Sequence, residues 1–200
     1  MTQGTQTPQA PPTPPAARWY DGTGVRVTAV IAVALVAGFL VWYFAIRDTG
    51  SSGGSFNGGK PTQVSDSTGG VGDLASSAGH PVYWVGTQPN TKLEATLLTN
   101  GDAYVRYLTP GAPIGSQQPD FLTVGTYPVA KAYKALQKVS KQSGAIVKHD
   151  PNGALVVTNE SNPRSVYVAY PKKNLQIEVF DPNANRALQL ASSGALTPVG

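Results

Sequence analysis

The apolar and polar positions divide the chain into one uninterrupted apolar run and a longer region of short, alternating runs. Residues 27–46 read VTAVIAVALVAGFLVWYFAI and carry no charged side chain. At about 1.5 Å per residue, a helix of this length spans about 30 Å, the thickness of the hydrocarbon core of a bilayer. A helix of a soluble core would show a polar stripe, which this run lacks. The sequence therefore predicts that residues 25–47 form a transmembrane helix, which contacts the lipid bilayer through residues 27–46.

The end of the apolar run predicts an anchor that is retained. Cleavable signal peptides have shorter apolar regions, of about 7 to 15 residues, followed by small residues. This run instead ends in Trp42, Tyr43 and Phe44. Basic residues are equally frequent on its two sides, so the positive-inside rule does not decide the orientation. Because the N-terminal tail carries no folded domain, we expect a single-pass plasma-membrane protein with a cytoplasmic N-terminus and an extracytoplasmic C-terminal domain; the alternative is an inward-facing domain.

Composition predicts which other segments fold. Residues 1–24 form a Pro-rich tail and a juxtamembrane segment, and residues 48–79 are rich in Gly, Ser and Thr. In the second of these segments, Val71 and Leu74 match neither a helical nor a strand period. We therefore predict a disordered N-terminal tail, a flexible linker at 48–79, one folded domain at 80–192 and a disordered tail at 193–200.

Within the predicted domain, short runs rich in Val, Ile, Tyr and Leu alternate with turn residues, which is typical of strands. Asn100-Gly101 is a strong hairpin signal, because a type I′ turn requires positive φ at both central positions. Ile177 and Val179 alternate with Glu178, which indicates a sheet with one covered face. The predicted strands span residues 81–86, 93–99, 103–108, 121–124, 145–148, 154–159, 165–170 and 175–180.

Two helices are predicted between and after these strands. Thr126 is a predicted N-cap for a helix over residues 127–142, with Pro128 in its first turn. Asp181 followed by proline gives the same signal for a helix that ends near Ser192. We therefore predict an α+β fold with a mainly antiparallel sheet and two helices packed on one face. The order of elements also reads as two ββββα units, which raises the hypothesis of an internal duplication.

Charge and cysteine content narrow the possible chemistry. The chain has no cysteine, which excludes disulfides, thiolate metal sites and cysteine nucleophiles. The net charge of +4 lies entirely within residues 80–192. This modest excess suits an anionic lipid or an anionic envelope polymer, but it is too dispersed for a nucleic-acid interface.

The sequence nominates no catalytic residue, no cofactor and no metal site. His80 lies at the domain boundary, and His149 precedes Asp150 in a predicted turn, where such a pair is usually solvated surface. Serine-elbow, P-loop and dinucleotide-binding motifs do not occur. A site built from separated residues stays open at this point.

Two groups of residues are candidates for binding. The first consists of aromatic residues close to an arginine, which suit stacking on a sugar or a peptide, although packing in the core is the alternative. The second is a row of lysines along the first helix, which suits phosphate-bearing lipids or wall polymers, although a solvated helix face is the alternative. The candidates are Tyr83, Trp84, Tyr104, Arg106 and Tyr107 in the first group and Lys131, Lys134, Lys138 and Lys141 in the second.

Four runs of the domain carry a resemblance: PVYWVG, VRYL, LTVGTYP, and the segment from VYVAYP to FDP. With these runs the chain resembles uncharacterised single-pass, membrane-anchored envelope proteins of high-GC bacteria, over roughly residues 80–192. The resemblance implies a bacterial cell-envelope setting and carries no activity to transfer.

These observations favour a membrane-tethered, non-enzymatic binding or scaffolding module on the outer side of a bacterial plasma membrane. Its expected partners are the bilayer itself and an envelope polymer, an anionic lipid or a protein. The alternatives are an envelope hydrolase whose site converges from separated residues, and an inward-facing domain that contacts cytoplasmic partners. The sequence leaves the oligomeric state open.

Overall fold

The computed structural model describes residues 61–65, 69–116 and 120–200. The predicted transmembrane helix at 25–47 and the predicted N-terminal tail lie outside these ranges. Within the ranges, no helix combines the length and the apolar character that crossing a bilayer requires.

The described chain forms ten strands and three helices. The strands are β1 (Pro61–Ser65), β2 (Val82–Trp84), β3 (Lys92–Leu98), β4 (Ala103–Leu108), β5 (Leu122–Pro128), β6 (Ala145–His149), β7 (Leu155–Asn159), β8 (Asn162–Ala169), β9 (Leu175–Phe180) and β10 (Thr197–Val199). The helices are α1 (Gly69–Ala78), α2 (Ala132–Val139) and α3 (Ala184–Ser192).

Eight of the strands form one sheet in the order β1-β3-β4-β5-β9-β8-β7-β6, in which all neighbours are antiparallel. Strands β2 and β10 form a separate antiparallel pair. The prediction of an α+β fold with a mainly antiparallel sheet is thereby confirmed. Each of the eight predicted strands corresponds to one of β2 to β9.

The main sheet is covered on both faces. The front face packs against α1, α3 and β2, and its core includes Val105, Val124, Val166 and Ile177. The back face packs against α2 near β7 and β8, where Leu136 meets alternate residues of these strands. The prediction that both helices lie on one face is therefore wrong: α2 and α3 lie on opposite faces.

The start of α2 explains this difference. Thr126 is not a helix cap but a residue of β5, and its hydroxyl oxygen accepts a hydrogen bond from the Tyr83 N–H (3.0 Å). Strand β5 continues to Pro128, and the helix begins only after Lys131, whose backbone is left-handed with φ of 57°. This sharp turn after the strand directs α2 to the back face. Helix α3 starts with the cap Asn183, whose side chain accepts from the backbone N–H groups of the first turn.

The described fold extends beyond both predicted domain boundaries. Helix α1 comes from the segment predicted as a linker, and its Val71, Leu74 and Ala75 are buried in the front core. This i, i+3, i+4 pattern is short and includes a small alanine, so the surrounding glycines and serines obscured it. At the other end, Leu196 is buried and β10 pairs with β2. The boundaries 80 and 192 are corrected accordingly.

The hypothesis of a duplicated ββββα unit holds for the order of elements but not for their arrangement in space. The order β2-β3-β4-β5-α2 is followed by β6-β7-β8-β9-α3. However, β2 lies outside the main sheet, whereas β6 is its edge strand. The two helices also lie on opposite faces, so the two units do not superimpose as repeats.

The buried face of α1 gives a direct test of the longer domain. Leu74 is fully buried, so Leu74→Ala should lower the free energy of unfolding by about 2 to 5 kcal/mol through the cavity that it leaves. Ser77 is exposed on the same helix, and Ser77→Ala should leave stability nearly unchanged. Thermal unfolding of the full chain in detergent micelles measures both. Equal melting temperatures for the two variants would show that α1 is not part of the folded domain.

Candidate functional site

The aromatic candidates on the front side of the sheet are packing residues. Tyr107 is buried, and its hydroxyl oxygen accepts a hydrogen bond from the Val85 N–H (3.0 Å). Burial raises the pKa of Tyr107 to about 12. Tyr83 is also buried and stacks on Tyr170 with ring centroids 5.6 Å apart, while Trp84 packs against the front core. These three candidates therefore do not form an exposed platform for a sugar or a peptide.

Arg106 lies on the back face and is held by residues of neighbouring segments. Its guanidinium donates to the Glu94 carboxylate, which lies directly opposite on β3, at 2.7 Å. The Glu94 carboxylate also accepts from the Gly115 N–H, and the guanidinium lies 5.3 Å from the centre of the Phe121 ring. Both members of the ion pair are buried, so Arg106 ties β4 to β3 and is not open to a ligand from solvent.

Tyr104 belongs to a buried group on the back face, which we call the tyrosine–glutamate cluster: Tyr104, Tyr127, Tyr167 and Glu178. The Tyr127 hydroxyl donates to the Glu178 carboxyl group at 2.8 Å. Tyr104 meets the Tyr127 ring edge to face, with centroids 5.8 Å apart. Among the described residues, the buried hydroxyls of Tyr104 and Tyr167 have no hydrogen-bond partner. The cluster thus concentrates polar atoms inside the sheet.

A glycine makes room for this cluster. Gly125 lies opposite Glu178 in the β5–β9 register, and the ring of Tyr127 folds back over it to reach the carboxyl group. A Cβ at position 125 would lie 2.7 Å from the Tyr127 ring carbon that carries the hydroxyl. No tyrosine ring tolerates that contact, so the glycine is a steric requirement of the Tyr127–Glu178 bond.

Burial dominates the electrostatics of the cluster. It raises the pKa of the Glu178 carboxyl group above its usual range, and the hydrogen bond from Tyr127 opposes this rise only in part. Burial, and next the nearby Glu178 charge, also raise the pKa of the Tyr127 hydroxyl. The folded protein therefore favours the neutral forms of both groups. A buried, hydrogen-bonded acid of this kind is a proton-binding group, which sequence analysis did not nominate.

The lysine candidates are all exposed. Lys134 and Lys138 project from α2, Lys131 immediately precedes this helix and Lys141 follows it. The β8–β9 turn adds two more exposed lysines beside the start of α2, because Asn174 accepts hydrogen bonds from the N–H groups of Val129 (2.9 Å) and Lys131 (3.0 Å). We call the six residues the lysine surface: Lys131, Lys134, Lys138, Lys141, Lys172 and Lys173.

The four lysines on and beside α2 have no acidic residue near them in the sequence. No acidic residue occurs between Asp120 and Asp150, a stretch that contains α2 and five lysines. The opposite side of α2 buries Ala132 and Leu136 against the sheet. Because this side of α2 is packed on the sheet, the lysines of the helix project from its other, exposed side. Sequence analysis identified Lys131, Lys134, Lys138 and Lys141; it missed Lys172 and Lys173, because only the fold brings their turn next to α2.

The two histidines are not arranged for catalysis. Both ring nitrogens of His80 lie at hydrogen-bond distance from backbone carbonyl oxygens, of Pro81 (3.0 Å) and Gly101 (2.8 Å). His149 is exposed, whereas Asp150 is buried and accepts from two backbone N–H groups and from the Tyr170 hydroxyl. Within the described ranges, no cluster of three or more residues of metal-ligating type is found.

Comparison with protein-family models, with curated proteins and with solved structures finds no match to this chain.

The raised pKa of Glu178 predicts how stability changes with pH. Below about pH 4.5, the usual value for the carboxyl group, Glu178 is neutral in both the folded and the unfolded chain. As the pH rises above this value, the unfolded chain ionises first, and the free energy of unfolding falls until the folded pKa is reached. Each pH unit between the two pKa values lowers it by about 1.4 kcal/mol.

Glu178→Gln removes the ionisable group and with it this loss of stability. The melting temperature of the variant minus that of the unmodified chain should therefore increase from pH 4.5 towards neutral pH. Glu160 is exposed, and Glu160→Gln should follow the unmodified chain throughout. Thermal unfolding of the full chain in micelles across this pH range measures the differences. A difference that stays constant with pH for Glu178→Gln would contradict the raised pKa.

Proposed function

We propose that this protein is a membrane-tethered, non-enzymatic binding module on the outer side of a bacterial plasma membrane, which binds anionic lipid headgroups through the lysine surface. The observation that carries the proposal is the set of six exposed lysines, on and beside a helix whose other side is anchored in the core. The tether is the apolar run at 27–46, which is predicted to cross the bilayer.

Charge complementarity supports this choice of partner. A lysine close to an anionic membrane surface contributes about 1 kcal/mol, and this attraction acts only within about one Debye length. Several lysines must therefore reach the same surface together. Lys131, Lys134, Lys138 and Lys141 recur at intervals of three or four residues, so they share one side of the helical segment. This arrangement meets the requirement better than the remaining, dispersed basic residues.

The length of the connection to the span supports lipid as the nearest anionic surface. Residues 47–60 join the predicted span to β1 and cannot extend beyond about 50 Å. The domain therefore stays within reach of the headgroups of its own bilayer, which raises their effective concentration at the lysine surface. A wall polymer would have to compete with the lipid headgroups at this raised effective concentration.

The geometry of the described polar residues supports a binding role over hydrolysis. A general base needs a nitrogen or carboxylate with a free lone pair beside a nucleophile. Both ring nitrogens of His80 face carbonyl oxygens, and Asp150 is engaged by backbone N–H groups and Tyr170. The buried ion pair and the tyrosine–glutamate cluster are enclosed by protein, so the lysine surface is the candidate that meets solvent.

The absence of cysteine makes orientation testable by labelling. Thr197→Cys places one thiol in the exposed β10, and Thr7→Cys places one before the predicted span. A membrane-impermeant maleimide, applied to cells stripped of their wall, should label the Thr197→Cys variant and not the Thr7→Cys variant. The reverse pattern, or protection of Thr197→Cys until the cells are lysed, would favour the inward-facing alternative.

The tether itself is tested by fractionation of the cells. Recovery of the chain in the soluble fraction without detergent would overturn the tether.

The lysine surface is tested with full-length protein reconstituted into vesicles. A fluorophore at Gln137→Cys, on the exposed side of α2, should transfer energy to acceptor lipids more efficiently when phosphatidylglycerol is added to phosphatidylcholine. Adding salt should reverse the increase. The substitutions Lys134→Gln and Lys141→Gln together should weaken docking by about 2 kcal/mol, roughly 30-fold in the docked population.

Lys148→Gln with Arg164→Gln is the matched control. Both residues are exposed, and they belong to β6 and β8 and not to the lysine surface, so the same charge is removed without touching that surface. This control should retain most of the response to phosphatidylglycerol. Equal losses in the two double variants would show that net charge alone drives the attraction. A response to added anionic wall polymer but not to phosphatidylglycerol would assign the surface to the polymer.

A further inference from the structure

Among the strands that the structure describes, β6 is an edge of the main sheet. It pairs with β7 on one side and is the last strand in the sheet order. Val147, in its centre, is one of two large apolar side chains exposed among the described residues, at 42%. An exposed edge strand carries main-chain groups that are able to pair with another strand.

The register shows which main-chain groups of β6 face outward. The Glu160 N–H donates to the Gly144 carbonyl (2.9 Å), and the Asp150 N–H donates to the Ala154 carbonyl (3.1 Å). Because hydrogen-bonded pairs alternate along an antiparallel ladder, residues 146 and 148 also bond to β7. The N–H and C=O groups of Val147 and His149 therefore point away from β7. The Ala145 carbonyl also points away from β7, whereas the Ala145 N–H donates to the Gln142 carbonyl (3.2 Å).

We propose that β6 pairs in antiparallel orientation with β6 of a second copy of this chain, about a two-fold axis at Val147. The outward groups are complementary under this operation except at the His149 carbonyls, which face Ala145 N–H groups that are already bonded to Gln142. The Val147 N–H groups donate to the Val147 carbonyls of the other copy, and the His149 N–H groups donate to the Ala145 carbonyls. The Ala145 N–H, which would otherwise need a partner here, is already bonded within its own chain.

The side chains agree with this pairing. Val147 lies opposite its own copy, so the exposed apolar groups cover each other on the back side of the sheet. Lys148 lies opposite Ile146 and His149 opposite Ala145, so no like charges stand directly across the junction. Lysine on an edge strand often prevents unwanted pairing. Here the Lys148 side chain projects to the front side and leaves the main-chain edge open.

The interface would be small, since β6 has five residues. Interfaces of this size are weak in solution. Two copies anchored in one bilayer meet at a higher effective concentration, which favours the pair. The pairing needs only the edge geometry of β6, so it stands or falls separately from lipid binding by the lysine surface.

Cysteine cross-linking of the otherwise cysteine-free chain tests the register. In the proposed pair, the two Cα atoms of residue 147 are about 5.5 Å apart, which suits a disulfide. The two Cα atoms of residue 148 are diagonal, at about 7 to 8 Å, beyond the usual limit. Under mild oxidation in proteoliposomes, the full-length Val147→Cys variant should form disulfide dimers several-fold faster than the Lys148→Cys variant. Equal rates would overturn the proposal.

A second test removes one main-chain donor. Val147→Pro eliminates an N–H that points away from β7, so no bond within the sheet is lost and the edge strand tolerates the ring. Energy transfer between donor-labelled and acceptor-labelled Ser161→Cys copies in one vesicle should fall to the level of random encounter in Val147→Pro. Val147→Thr keeps the donor and should retain most of the transfer. Transfer that survives Val147→Pro would assign association to another surface, such as the predicted span, and overturn the proposal.

Discussion

The pairing of β5 with β9 at the centre of the sheet is the contact on which the rest of the fold depends. It joins the β1-β3-β4 half to the β8-β7-β6 half, and both of its faces are buried. A polar residue of this pair therefore cannot point to water. Glu178 is buried on the back face, where Tyr127 donates a hydrogen bond to it and Gly125 leaves room for the ring. The cost of enclosing a carboxyl group is reduced by this bond and by protonation.

On the back face of the sheet, buried polar groups and exposed charged groups occupy different places. Its centre holds neutral-favouring groups, Glu178 and the tyrosines around it, and the Glu94–Arg106 pair provides its own counter-charge. Positive charge is carried instead by lysines on and beside α2, whose inner side contributes Ala132 and Leu136 to the core. Because these inner residues fix the helix, the lysines are presented as an ordered group. Their exposure distinguishes them from the candidates Tyr83, Tyr104 and Tyr107, which are buried.

The local pattern of apolar and turn residues was sufficient to predict the strands. It was insufficient to predict which side chains are buried where segments distant in the sequence cover them. The runs around Val105 and Ile177 have high strand propensity and clear turns beside them, so their positions follow from the sequence. Glu178 alternates with apolar residues and therefore looked solvent-facing; only the cover of the back face shows that it is buried. Thr126 with Pro128 two residues later resembles the start of a helix, but the Thr126 hydroxyl oxygen instead accepts a hydrogen bond from the Tyr83 N–H. Of the candidate site, the lysines on and directly beside α2 were predictable, because their spacing is local.

The two proposals have compatible geometry. A two-fold axis that relates two antiparallel neighbouring strands is perpendicular to their sheet. The back sides of the two copies therefore lie on the same side of the joined sheet. The side chain of Val147 points to the back side, the side on which α2 packs, because its partner Val157 lies in the core beneath α2. A β6–β6 pair would therefore present two lysine surfaces in the same direction. Under the two proposals, both predicted spans would enter one bilayer, and the attraction of each lysine surface to that bilayer would add to the other. Pairing at the edge would thus strengthen the proposed docking without any new contact to lipid.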